Sequence, residues 1–426
     1  MLLIQTIVLF TVLACLFINF RLGLAMYISY FLLVPFPSVE CFGVTFSNLV
    51  INAILLIAYT TKYRLWFDFS IIKPLLVLYL LWFMETIFQN NMPFLIQYRY
   101  FYEDILQIFV LPTIVVSAVR FEPNVLKYCV ISVIASYVAI IIYNIVLFFI
   151  PDVNPYIIMM SLEHNVNIMT GQFEFEERSG IMQRLSSVFP HPMTFGMYLG
   201  LSMAFFMCMP KEKRYYRYMI ILAILNIFIS GVRTTMAAFF VVALCYLLMI
   251  RKIKYFLYAI ISISIFYIIA PILFPSLVEI LNSFTASSSE SGGSSWEMRI
   301  TQYNGCLAEI SNNPLFGKGY SWTKAYMSEN RAHPVIKCFE SLLFVILCNW
   351  GVLGLIFFGI CFIWLFVQIR LVFTHKTECY FLYCLWIFYL SYCFITGEYG
   401  YMRYALLFYS IIYSLLSHKG LYQKKI

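Results

Sequence analysis

Residues 341–369 read SLLFVILCNWGVLGLIFFGICFIWLFVQI, without one charged side chain. A membrane-spanning helix needs about 20 consecutive apolar residues, because it rises ~1.5 Å per residue and must cross ~30 Å of hydrocarbon. The run is long enough for this. Further apolar runs lie on both sides of it, for example at 193–209, 234–250 and 379–396. The stretch is therefore one span among several.

The composition of the whole chain supports the same conclusion. Hydrophobic residues make up 62% of the 426 residues and charged residues only 11%, whereas a soluble domain carries about 25% charged residues. The excess apolar surface must face lipid. The sequence predicts an all-α polytopic integral membrane protein with about 13 transmembrane helices, within a range of about 11–14.

The apolar runs and the loops between them divide the chain into five parts. N-terminal transmembrane helices occupy 1–150 and central ones 193–275, and C-terminal ones occupy 341–426. A loop at 151–192 and a larger loop at 276–340 separate these groups. The short loops assigned to the cytoplasm hold 18 of the 28 Lys and Arg but four of the 20 acidic residues. This positive-inside bias places both long loops outside and accounts for the net charge of +8 without nucleic acid.

The large loop changes character along its length. Residues 287–295 are a Ser- and Gly-rich linker. From Trp296 to Ile310, aromatic and apolar residues recur at helical spacing, which predicts an amphipathic helix on the outer membrane surface. Gly317-Lys318-Gly319 predicts a turn. The 12 cysteines include no CxxC motif and favour small buried hydrophobes, although Cys306 and Cys338 share this loop and are able to pair.

Three residues near the outer ends of spans are candidates for binding an anion. Arg233 lies in a very short turn between two apolar runs, where it either anchors to lipid headgroups or clamps phosphate oxygens with its planar guanidinium. Arg184 and His191 lie where the chain enters the span at 193–209. His191 is either a helix cap or a substrate contact.

Two residues before the last long span are candidates for a general base. Glu340 either complements the helix dipole or accepts a proton, and His333 is the rival base. Glu85 lies within a predicted span, where a carboxylate is either functional or held by a structural hydrogen bond. The chain contains no GxGxxG, GxxxxGK[ST] or HExxH motif, so the sequence predicts no cofactor and no metal site.

The order of these motifs resembles the O-antigen polymerase and O-antigen ligase superfamily of bacterial envelope enzymes. The resemblance covers about residues 180–370. It rests on an Arg184-led Phe189-Pro190-His191-Pro192, then Arg233, Arg299, Asn313-Pro314-Leu315-Phe316-Gly317-Lys318-Gly319, His333, Glu340-Ser341 and Asn349-Trp350-Gly351-Val352-Leu353-Gly354.

The resemblance implies a metal-independent membrane glycosyltransferase that uses an undecaprenyl-diphosphate-linked oligosaccharide. It implies a multi-pass protein of the bacterial inner membrane with a periplasmic active site, in contact with membrane lipid and with a chain-length regulator protein as a possible partner. Glu340 and His333 are then the catalytic candidates. The expected diphosphate- or glycan-binding residues are Arg233, Arg299, Arg184, His191 and Lys318.

The resemblance leaves the acceptor open. Glu340-Ser341 directly abuts the span, as in polymerase-like members, which favours a polymerase of repeat units for O-antigen, capsule or exopolysaccharide. A ligase that transfers finished glycan to a lipid or protein acceptor is the alternative, with His333 as its base. A polysaccharide or lipid transporter is a further alternative, against which the scarcity of charged residues within the spans argues.

The predicted orientation can be tested by cysteine labelling. In a cysteine-depleted protein, Lys252→Cys should stay unlabelled by an impermeant maleimide on intact spheroplasts, because 251–254 is predicted to face the cytoplasm. Glu290→Cys, in the large loop, serves as the control and should be labelled. Labelling at position 252 would contradict the orientation.

Overall fold

The computed structural model describes residues 2–35, 38–41, 44–89, 91–150, 154–158, 177–178, 182–183, 185–209, 214–251, 254, 296–330, 333, 339–373, 376–398 and 400–418. Several features of the sequence fall outside these residues. Among them are the predicted span at 255–275, the linker at 287–295, Arg184 and Cys338.

Helices dominate the described part of the chain. In chain order they are α1 (Leu2–Ile18), α2 (Phe20–Leu33), α3 (Asn48–Tyr63), α4 (Lys73–Met84), α5 (Phe94–Asp104), α6 (Val110–Phe121), α7 (Asn124–Phe149), α8 (Pro192–Met207), α9 (Arg214–Ile229), α10 (Arg233–Met249), α11 (Trp296–Ile310), α12 (Trp322–Asn330), α13 (Leu342–Val372), α14 (Lys376–Thr396) and α15 (Met402–Ser417).

Two short antiparallel hairpins accompany the helices, which the sequence did not predict. Strand β1 (Ser38–Cys41) pairs with β2 (Val44–Ser47), and β3 (Glu177–Arg178) pairs with β4 (Met182–Gln183). Both lie in connections between helices. The described part of the chain is therefore helical apart from these hairpins and the connecting segments.

Four described helical segments are long and apolar enough to cross a membrane. They are Phe94–Phe121, Asn124–Phe149, Leu342–Val372 and Glu378–Thr396. Shorter apolar helices accompany them at Thr6–Ile18, Phe20–Leu33, Pro192–Met207, Arg233–Met249 and Met402–Ser417. The chain is thus a helical membrane protein, and the number of about 13 spans stays a prediction.

The first of these segments begins earlier than the sequence predicted. The apolar run at 105–119 predicts a span, yet α5 continues into α6 through a π-helical turn at Ile105–Phe109. Residues 94–104 precede this run and include several polar side chains. Gln97 accepts a hydrogen bond from Tyr320 N at 2.7 Å, and Asp104 accepts one from the Tyr320 hydroxyl at 2.9 Å. Tyr320 belongs to the large loop, which is distant in sequence, so residues 94–104 alone do not indicate these hydrogen bonds.

Helix α13 is broken at Gly351, which has φ 63° and ψ −158°. The break removes two helical hydrogen bonds, and the segment 314–319 replaces them on both sides. Lys318 N and Gly319 N donate to the carbonyls of Cys348 and Asn349 at 2.9 and 3.0 Å. Val352 N and Leu353 N donate to the carbonyls of Pro314 and Leu315 at 2.9 and 3.1 Å. We call this four-bond arrangement the backbone clip.

Side chains around the clip also stabilise the break in α13. The Gln89 amide donates to the carbonyls of Asn349, at 3.0 Å, and Phe316. Trp82 of α4 stacks on Trp350 with ring centroids 3.9 Å apart, and its Nε1 donates to the Gly354 carbonyl at 3.0 Å. The backbone amides and carbonyls at the break are thus buried and hydrogen-bonded, as non-helical backbone at membrane depth must be.

Helix α11 lies along the part of α13 before the break. Three contacts follow one another along both helices, from Arg299 with Glu340, through Tyr303 with Phe344, to Cys306 with Cys348. Helix α12 returns from the clip, and its Trp322 ring contacts Phe339. The predicted helix at 296–310 is confirmed. It packs on α13 rather than lying alone on the membrane surface.

The clip predicts that glycine is required at position 351. A Cβ there would lie 2.5 Å from the Leu315 carbonyl oxygen, and the backbone conformation is one that essentially only glycine adopts. Gly351→Ala should lower the free energy of unfolding by at least ~2 kcal/mol, measured by denaturation in detergent micelles.

Gly359 provides the matched control in the same helix. Its Cβ would meet nothing within 4 Å. Gly359→Ala should leave stability unchanged or raise it by up to ~1 kcal/mol, since alanine is the better helix former. Equal stability of the two variants would contradict the role of the clip.

Candidate active site

The ends of four helices meet around the end of α14. The Tyr392 hydroxyl donates to the Met193 carbonyl in the first turn of α8 at 2.6 Å. The Ser341 hydroxyl, at the start of α13, donates to the Phe394 carbonyl at 2.7 Å. Because α15 begins only a short turn after α14, the starts of α8, α13 and α15 are brought to one end of the bundle.

The start of α10 belongs to the same end. A Cβ at Gly196 of α8 would lie 2.0 Å from Thr235 Oγ1, so the first turns of α8 and α10 touch closely. Arg233 is the first residue of α10 and is half-buried. Arg233 and His191 therefore lie at the starts of two neighbouring helices.

His191 caps α8 in the structure. Its Nδ1 accepts a hydrogen bond from Met193 N at 3.1 Å, and Pro192 follows as the first helical residue. This satisfies an amide that the helix itself leaves unpaired. The capping interpretation of His191 is thus seen directly, and a substrate contact by His191 stays a hypothesis.

Arg299 and Glu340 form the first ionic pair of the site. Arg299 Nη2 lies 3.1 Å from Glu340 Oε2, and Nη1 donates to the Glu340 carbonyl at 2.6 Å. The two side chains are 21% and 15% exposed. A planar cation and a carboxylate therefore stand together in a sparsely hydrated position directly before α13.

Glu309 organises a second ionic group, which the sequence analysis missed. Its Oε1 lies 2.9 Å from His333 Nε2, and its Oε2 is paired with Lys318 Nζ. The Lys318 ammonium also lies 4.6 Å from the centre of the Trp322 ring. The structure thus brings His333 and Lys318 together through a residue that neither motif contains.

The charge state of Glu309 fixes the proton on His333. Burial raises the pKa of Glu309, but hydrogen bonds from Lys318 and His333 outweigh burial and hold that pKa below its usual value. An ionised carboxylate can only accept, so His333 Nε2 carries the hydrogen.

The two ionic groups lie on one helix. Arg299 and Glu309 both belong to α11 and are separated by ten positions, or about 15 Å along the helix axis. Glu309 lies three residues after Cys306, which places both on the buried face of α11. The sequence could have indicated Glu309 only if the face on which α11 packs had been known.

Two further carboxyl groups of interest lie outside these pairs. Glu398 lies in the turn before α15 and accepts hydrogen bonds from Gly400 N and Met402 N, both at 2.6 Å. Burial raises its pKa. Glu85 is 3% exposed, and within the described part of the chain no donor reaches either of its carboxylate oxygens.

Comparison with known families identifies a match to part of the chain. Residues 218–359 match the family model Wzy_C, which is described as O-antigen ligase. The resemblance to the O-antigen polymerase and ligase superfamily is confirmed. The matched segment runs from α9 into α13 and includes Arg233, Arg299, His333 and Glu340, together with the whole clip. No curated protein matches the chain in sequence.

The Glu309 group predicts a pH-dependent contribution to stability. Glu309→Gln removes a charged acceptor from both Lys318 and His333, and should cost about 1.5–3 kcal/mol of unfolding free energy at pH 7. The folded-state pKa of Glu309 is lowered, so this difference should be complete above pH ~4.3. It should shrink as the pH falls through the lowered value.

Thermal unfolding of the two proteins in detergent between pH 3 and 8 measures the difference. Glu329→Gln is the control, because Glu329 is exposed on α12 and should change stability little at any pH. A Glu309→Gln difference that grows as the pH falls would contradict the assignment.

Proposed function

We propose that this protein polymerises lipid-linked oligosaccharide repeat units on the outer face of the bacterial inner membrane. The donor is a glycan carried on undecaprenyl diphosphate, and the product serves as O-antigen, capsule or exopolysaccharide. The observation that supports the proposal best is the Arg299–Glu340 pair. It combines, at one point before α13, a cation for the leaving diphosphate and a base for the acceptor hydroxyl.

The proposed step is a displacement at the anomeric carbon. The oxygen of the acceptor hydroxyl forms a bond to that carbon while the bond from the carbon to the diphosphate oxygen breaks. The hydroxyl proton passes to the base, and the electron pair of the broken bond stays on the lipid diphosphate. A guanidinium aimed at the diphosphate stabilises the charge that develops there.

The ion pair indicates the order of events in this mechanism, in which the diphosphate binds before Glu340 acts as the base. Without substrate, the Glu340 carboxylate occupies the guanidinium of Arg299. A diphosphate carries more charge and competes for the same guanidinium fork. When it binds, the Glu340 carboxylate gives up this contact and becomes the acceptor for the hydroxyl proton. The second bond, from Arg299 to the Glu340 carbonyl at 2.6 Å, keeps the two residues together meanwhile.

Other cations are proposed to complete the binding site. Arg233 is half-buried at the start of α10, and a guanidinium at a helix start near the membrane boundary suits a lipid diphosphate. Arg184, His191 and Lys318 are proposed to contact the diphosphate or the glycan. A chain-length regulator protein is proposed as a partner of the polymerising complex.

A ligase is the second candidate, and the His333–Glu309 pair favours it. A histidine whose Nε2 hydrogen is held by a carboxylate is the arrangement of a general base with an orienting partner. Nδ1 would take the acceptor proton, and Glu309 would stabilise the imidazolium. The description of the matched family as O-antigen ligase agrees with this candidate.

Substitution of the two bases tests the proposal. Glu340→Gln keeps the size of the side chain but cannot take up the proton, so polymer synthesis should fall ~10²–10⁴-fold. His333→Ala should reduce it less. The assay is synthesis of a glycan ladder by purified protein in detergent from lipid-linked repeat units alone, at matched protein amounts, with Glu329→Gln as control.

The same assay distinguishes the two candidates. If wild-type protein makes no ladder from repeat units alone, yet transfers finished glycan to an added lipid acceptor, the protein is a ligase. An active Glu340→Gln variant beside an inactive His333→Ala variant would transfer the role of base to His333.

A further inference from the structure

Two cysteine thiols meet where α11 packs on α13. Cys306 Sγ and Cys348 Sγ lie 3.1 Å apart, and both residues are 0% exposed. This is closer than the ordinary contact of two unbonded sulfur atoms. A bonded pair lies at about 2 Å, so a movement of roughly 1 Å separates this arrangement from a covalent bond.

The pair is placed by packing that extends well beyond it. Phe344, one helical turn before Cys348, contacts the Tyr303 ring, and its carbonyl lies 3.7 Å from Cys306 Sγ. One position further along α13, Asn349 takes part in the backbone clip. The helices are therefore fixed against each other on both sides of the thiols. The sequence had suggested Cys338 as a partner for Cys306, and Cys338 lies outside the described residues.

We propose that Cys306 and Cys348 form a disulfide bond in the mature protein. The inference rests on the proposed orientation, in which the hairpin of α11 and α12 faces the outer compartment, where disulfides form and persist. It does not depend on whether the protein is a polymerase or a ligase. The bond would close a loop that contains α12, His333 and Glu340.

The bond forms by exchange with the disulfide of an extracytoplasmic thiol oxidoreductase. One cysteine thiolate attacks that disulfide and yields a mixed disulfide and one oxidoreductase thiol. The second cysteine thiolate then attacks the mixed disulfide, which forms the Cys306–Cys348 bond and releases the second oxidoreductase thiol. The protein loses two electrons and two protons in total, and the oxidant's disulfide gains them. Because both thiols are buried in the docked hairpin, the exchange takes place before α11 docks on α13.

The bond has a consequence for the site. Helix α11 carries Arg299 and Glu309, whose partners Glu340 and His333 come from the chain between α12 and α13. A covalent tie between α11 and α13 keeps Arg299 opposite Glu340 when diphosphate competes for the guanidinium.

A two-cysteine protein provides the direct test. Ten of the 12 cysteines are replaced by alanine, which leaves Cys306 and Cys348. Cells are quenched in acid, and the thiols are then reacted with a polyethylene-glycol maleimide with and without prior reduction. We expect no gel shift without reduction and a shift by two maleimides after reduction. The control protein keeps Cys306 and Cys361. Cys361 lies thirteen positions after Cys348 on α13, roughly 20 Å further along the helix axis. This protein should show a gel shift by two maleimides both with and without reduction.

Wild-type protein provides a second measurement in case the two-cysteine variant does not fold. Protease digestion under non-reducing conditions should yield a peptide pair linked through Cys306 and Cys348, identified by mass spectrometry. Reductant should lower the melting temperature of wild-type protein by several degrees, and should not change that of a Cys306→Ser, Cys348→Ser double variant.

Three outcomes would overturn the proposal. Two reactive thiols in quenched cells, a linked peptide that joins Cys306 to Cys338, or a wild-type melting temperature indifferent to reductant would each do so. Failure of the orientation is recognised separately. In that case purified two-cysteine protein would cross-link with glutathione disulfide although the thiols are reduced in cells, and Lys252→Cys would be labelled from outside.

Discussion

The backbone clip between residues 314–319 and the break of α13 is the interaction on which the rest of the site depends. A break in a helix at membrane depth leaves amides and carbonyls without partners, and no water is present to satisfy them. The segment from Pro314 to Gly319 supplies two donors and two acceptors at about 3 Å. The two glycine-containing motifs of the sequence are therefore the two halves of one structure. Neither half can form without the other.

The clip determines where α11 and α12 can lie, since both helices leave the clipped segment directly. Helix α11 runs parallel to α13 and ends at the clip, so its first turn lies beside Glu340 and Arg299 is 3.1 Å from that carboxylate. Helix α12 runs back past Trp322, and the chain after it brings His333 to Glu309. The clip thus positions the helices that carry both ionic groups, and it contributes Lys318 to the second of them.

Predictions from the sequence succeeded where the physical signal was local. The helix at Trp296–Ile310 and several of the apolar runs are local patterns, and the described part of the chain contains them as helices. The helical extension at Phe94–Asp104 was missed because Gln97 and Asp104 look like loop residues until Tyr320 becomes their partner. Glu309 was missed for the same reason. A carboxylate on an amphipathic helix resembles a solvated one until its two partners, Lys318 and His333, are brought to it by the fold.

The sequence by itself determined that this chain is a helical membrane protein, because a composition with 11% charged residues cannot cover a water-soluble surface. It also determined the order of motifs that resembles the O-antigen polymerase and ligase superfamily, and it predicted Arg299, Lys318, His333 and Glu340 as candidate site residues. Only the tertiary structure decided which of these residues pair. Arg299 pairs with Glu340 across 41 positions and Glu309 with His333 across 24, because pairing depends on the direction in which α11 packs. That direction is set by backbone hydrogen bonds at the break of α13, which side-chain patterns do not encode.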